Sequence, residues 1–66
     1  MKINKWKLEL IKAQKKISST ELVKQSQISS AVLGRIKNGK ELRATTIGKI
    51  AKALDVDVLE IVEQEN

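Results

Sequence analysis

Glu21–Gly39 reads ELVKQSQISSAVLGRIKNG, the pattern of two short helices joined by a tight turn. Leu22, Val23, Leu33 and Ile36 have the spacing that lets a helix pair pack on itself. The second helix of the pair is expected from about Ser30 to Lys37. Ser29, Ser30, Ala31, Gly34 and Arg35 then point outward. Small side chains around a single Arg make a poor core surface and a good one for lying close against another molecule. Gly34 points the same way: mid-helix glycine costs roughly 1 kcal/mol relative to Ala, tolerable where a side chain would collide with a partner. Gln27-Ile28-Ser29 is the expected turn, with Ile28 buried between the helices, Ser29 as N-cap and Gln27 in a left-handed conformation. Asn38-Gly39 stops the second helix, Gly39 being free to take a positive φ.

Upstream, residues 4–15 read as a helix with Asn4 as its N-cap. Its apolar residues (Ile3, Trp6, Leu8, Leu10, Ile11, Ala13) cover about twice the arc that a core-facing stripe needs. Leu8 and Ile11 form the expected core pair; Trp6, Leu10 and Ala13 form a surplus stripe. That stripe fits a domain that wraps the helix on both sides, the plainer reading, or else a partner surface. Ile17 turns into the core, and Ser18-Ser19-Thr20-Glu21 has capping-box spacing ahead of a helix that runs to about Ser26. The free amides at that helix start, with Ser19 beside them, suit a phosphate.

Downstream, residues 39–43 (GKELR) read as a loop, and residues 44–54 as a helix with Ile47, Ile50, Ala51 and Leu54 on one face. Asp57 and Glu60 predict a second capping box and a last helix carrying Val58, Leu59, Ile61 and Val62. Residues 63–66 are expected to fray. The fold class is therefore all-α: five helices with short connections in one domain spanning residues 1–66.

Sixty-six residues bury a small core of marginal stability, so help is expected from close helix packing or self-association. Without Cys or His there is no disulfide, and no metal site or cofactor is expected. Lacking His, Cys, Tyr and any glycine-rich phosphate loop, the chain does not read as an enzyme. No membrane span or signal peptide is visible, and a cytoplasmic location is expected. Residues 1–54 hold all thirteen Lys and Arg and only Glu9, Glu21 and Glu41; residues 55–66 hold five acids and no base. A basic body with an acidic tail fits a polyanion partner on one side, although a lysine-rich solvated surface has the same composition.

ISSTELVKQSQIS, SSAVLGRIKNGK and IGKIAKALDVDVLEI together resemble the Cro/phage-repressor class of helix-turn-helix proteins, also called Xre-like, from Leu8 to Val62. The resemblance implies a compact, lambda-repressor-like five-helix domain whose second and third helices form the helix-turn-helix. It places base contacts on Ser30, Ala31 and Arg35, with Ser29 and Gly34 at the edge. Backbone contacts fall on Ser19, Asn38, Lys40 and Arg43, and Lys37 joins the basic cluster around the loop. There are two departures from the family. Ser19 stands where Gln is usual, and Lys12 and Lys37 replace a frequent Arg–Glu pair, so they either diverge or leave the third helix held by packing alone.

The expected function is sequence-specific reading of double-stranded DNA. Arg35, the one long donor on the reading face, can take guanine O6 and N7, and Ala31 can touch a thymine methyl. A homodimer would set two reading helices about 34 Å apart on a near-palindromic site. Its contact is expected around Leu59, Ile61 and Val62, with the first-helix stripe as the second choice. A phage or mobile-element type repressor fits best. The alternative is a protein-interaction module, an antitoxin or inhibitor, that uses the surplus stripe and acidic tail to hold a protein partner. Sequence-independent nucleic-acid binding is a third reading, weakened for single strands by the lack of exposed aromatics.

Overall fold

The computed structural model describes residues 1–63. Four α-helices follow in order: α1 (Lys5–Lys15), α2 (Ser19–Ser26), α3 (Ser30–Lys37) and α4 (Ala44–Leu54). Side chains begin the first three. The amides of Lys7, Glu21 and Val32 donate to Asn4 Oδ1 (3.0 Å), Ser18 Oγ (3.2 Å) and Ser29 Oγ (3.2 Å). Only the Ser18 half of the expected first capping box is made.

Helix ends are equally local. Lys16, Gln27 and Asp55 close α1, α2 and α4 at φ values of 57°, 58° and 56°. Gly39, at φ 67°, closes α3, where the amides of Gly39 and Lys40 return to the carbonyls of Ile36 (3.1 Å) and Arg35 (2.9 Å). Those paired bonds satisfy carbonyls that the helix leaves orphaned.

The fifth helix is a correction: Val58–Glu60 is a single 3₁₀ turn. Both halves of its capping box form, Leu59 N donating to Asp57 Oδ1 (2.9 Å) and Asp57 N to Glu60 Oε2 (2.8 Å). The backbone beyond it is taken by the amino-terminal segment. Asn4 N donates to the Ile61 carbonyl (2.8 Å), Glu63 N to that of Lys2 (3.0 Å), and Ile3 and Val62 form an antiparallel bridge. A helix continuing through residue 61 would forfeit that pairing. Glu63 is thereby held rather than frayed, and the expected fraying of residues 64–66 lies outside the described residues.

Leu22, Ile47, Ile50, Leu54 and Ile61 are fully buried, with Ile3, Leu8, Ile11, Ile36, Leu42, Ala51 and Val62 completing the core. α2 packs chiefly on α4. Val23 and Leu33 are only half-buried, and Val32 turns to the core instead. Leu42, read as loop, is core because the loop is strapped: Leu42 N donates to the Met1 carbonyl at 2.7 Å. Ile61 and Val62 are corrected as dimer residues. At 0% and 5% exposure they already belong to the chain's own interior, and of the expected three only Leu59 faces outward. The wrapped reading of α1 fails as well, since Trp6, Leu10 and Ala13 are all exposed.

Candidate nucleic-acid interface

α2, the three residues 27–29 and α3 form the helix-turn-helix. Buried Leu22 and Ile36 and half-buried Ile28 hold the pair to the core, which leaves the opposite side of α3 free. Ser29, Ser30, Ala31 and Arg35 are exposed, as are Lys37, Asn38, Lys40 and Arg43; Gly34 is half-buried. The eight-residue α3 is about 12 Å long, and an α-helix with its side chains has about the width of a B-DNA major groove.

Gly34 has no reason for being glycine within the chain. A Cβ there would meet nothing within 4 Å, and the residue sits in the helix interior where Ala would be favoured. The bare backbone faces outward.

Arg35 is exposed, but its guanidinium is not loose. Nη2 donates to the Glu41 carbonyl at 2.8 Å, leaving most of its five-donor fork unspent. Glu41 therefore orients the Arg35 guanidinium through its backbone. Its carboxylate, which lies beside a positive surface, is matched by the Met1 ammonium at 2.6 Å. That hydrogen bond and charge hold the Glu41 carboxyl below the usual carboxylate range.

Sequence reasoning missed a depression beside α3, lined by Val32, Arg35, Glu41, Leu42, Arg43 and Thr46. One of its walls is the amino end of α4, where Arg43 occupies the N-cap position without making a side-chain cap. Uncapped amides beside a guanidinium suit a phosphate oxygen. The signal was present in Leu42-Arg43-Ala44, which offers no Ser, Thr, Asp or Asn ahead of the helix.

The departures at residues 12, 19 and 37 resolve together. Lys12, with a side chain only 11% exposed, donates to Glu9 Oε1 (3.1 Å) and to Ser19 Oγ (2.7 Å), tying α1 to the start of α2. Ser19 is thus half-buried and already accepts one hydrogen bond. Lys37 points to solvent, while its carbonyl accepts from Lys5 Nζ at 3.2 Å. A cation from α1 on the carboxyl end of α3 replaces the missing ion pair, with a favourable sign for the helix dipole. Packing alone does not hold α3.

Trp6 is an exposed aromatic after all, but a single ring on α1 and not on α3. Among the described residues no cluster of His, Cys, Asp and Glu could hold a metal, and no helix is long and apolar enough to cross a membrane. No curated protein and no solved structure matches the chain. A family model for the Cro/C1-type HTH DNA-binding domain matches residues 7–66. The helix-turn-helix with the bare outer face of α3 lies inside that span, and the chain belongs to the Cro/C1-type HTH DNA-binding domain family.

Proposed function

We propose that the protein is a sequence-specific, double-stranded DNA-binding transcriptional regulator. In this reading it is a cytoplasmic repressor of the phage or mobile-element kind, acting as a homodimer on a near-palindromic operator. The observation that carries the reading is the outer face of α3, where exposed Ser30, Ala31 and Arg35 flank a glycine with no packing reason to be one. Arg35 takes a guanine edge, Ala31 a thymine methyl, and Ser29 and Ser30 the neighbouring bases. Ser19, Lys37, Asn38, Lys40 and Arg43 position the domain on phosphates, and the uncapped start of α4 adds a further anchor.

Fragments selected from random duplex DNA supply the operator, and binding to it is then titrated over a salt series for the parent and Arg35→Ala. The expected result is a loss of about 1–3 kcal/mol of discrimination at one base pair with the salt slope largely kept. Equal preference in both proteins refutes base reading by α3.

The exposed Trp6–Leu10 stripe favours a second reading, in which the same fold holds a protein partner as an antitoxin or inhibitor does. It predicts a binding partner captured by α1 and no selected DNA sequence.

A further inference from the structure

α1 turns an apolar stripe away from the domain. Trp6 is 71% exposed and Leu10 48%, and with Ala13 they lie three and four residues apart, opposite the buried pair Leu8 and Ile11. The charges near them oppose the helix. Lys7 lies in its first turn, where the macrodipole favours acids, no acid is present there, and the neighbouring Lys5 ammonium is turned to the Lys37 carbonyl of α3. The helix's one carboxylate, Glu9, is neutralised by Lys12.

A second patch has the opposite sign. Leu59 is 72% exposed on the 3₁₀ turn, between Asp57 and Glu60. Asp55, which closes α4, again carries the charge that its helix end disfavours. The bond from Asn4 N to the Ile61 carbonyl, at 2.8 Å, brings the start of α1 and the end of the turn together at one edge of the domain.

We propose that these patches are the two halves of one homodimer contact, the Trp6–Leu10 face of one protomer seating on the Leu59 turn of its partner and the reverse. The inference deepens the dimer of the proposed function by naming its surface. Charge complementarity selects the occupant: basic α1 against basic α1 repels, as does acidic turn against acidic turn, whereas the crossed pairing attracts at both places. The domain measures 31 × 23 × 18 Å, so protomers abutting at an edge have their centres about one protomer width apart, and points farther from the shared edge lie farther apart. That spacing is of the order of the roughly 34 Å between successive major grooves.

Trp6 is the chain's only Trp and reports the contact directly. Sedimentation equilibrium and Trp emission are followed against protein concentration without DNA, for the parent, Lys7→Glu, Asp55→Lys and an equimolar mixture of the two variants. Both substitutions agree with their helix dipoles, and Lys16 already adopts the conformation required at residue 55, so thermal melts should match or exceed the parent's. The expected result is a parent dimer with shielded, blue-shifted Trp6, a rise in Kd of roughly tenfold for each variant, and recovery in the mixture. A monomeric parent at all concentrations overturns the contact. So does an Asp55→Lys variant that associates like the parent, since that would mean α1 pairs with itself. DNA titration of the same samples separates the two readings: a monomer that still selects an operator sinks only the contact, and a dimer that selects none sinks only DNA reading.

Discussion

At the scale of single residues, the proposed interface rests on one side chain and one missing side chain. Arg35 is held by the Glu41 carbonyl at 2.8 Å, so part of the entropy of ordering a long side chain is lost before DNA arrives. Gly34 lacks any neighbour within 4 Å of its would-be Cβ, and nothing in the domain's own packing opposes a methyl group there. Gly34→Ala should therefore stabilise the domain by roughly 0.5–1 kcal/mol, a rise of several degrees in Tm. The same substitution should weaken binding to the selected duplex. A variant that melts higher and binds as tightly as the parent would show that close approach at Gly34 is unimportant.

At the scale of elements, helix starts and stops follow from neighbouring side chains. Asn4, Ser18 and Ser29 cap the first three helices, and Lys16, Gln27, Gly39 and Asp55 end the four in left-handed backbone. Three of those four ends use a residue with a Cβ, which costs about 1 kcal/mol or more each relative to glycine. Gln27 is the informative one because it lies inside the helix-turn-helix and is exposed. Gln27→Gly should raise stability by up to about 1 kcal/mol, the relieved strain being partly offset by a more flexible unfolded chain. Chemical denaturation tests it, and a lowered midpoint would mean that the Gln27 side chain contributes more than the strain it causes.

At the scale of the molecule, the amino-terminal segment fastens the fold. Residues 1–4 pair on one side with Leu42 and on the other with Ile61 and Glu63, so the loop at residues 39–43 and the last turn share one strap. The Met1–Glu41 ion pair belongs to it. A carboxyl held low adds stability that is present above the ordinary glutamate value, near pH 4.3, and disappears as pH falls through its folded value. Glu41→Gln should thus melt below the parent at pH 6, with the gap closing toward pH 2; a gap that persists in acid would mean the loss is not electrostatic. The basic surface as a whole sets salt dependence. Lys40→Ala should weaken every duplex alike and reduce the salt slope by about one, with base preference unchanged. A shift in preference would place Lys40 among the readers.

What the chain settles alone is local. Capping residues, apolar spacing and breakers bound α1 to α4 nearly to the residue, and the pattern around Ser30–Arg35 identified the bare face, because each signal acts within a turn or two of helix. What only the tertiary structure decided is non-local. That Ile61, Val62 and Leu42 are interior depends on backbone pairing with residues 1–4, which leaves no side-chain period to read. Whether the second stripe of α1 is covered, and whether Lys12 meets Glu9 and Ser19 or open water, depends on which helices arrive beside it. A period of 3.6 residues says which side chains share a face; it does not say what stands opposite.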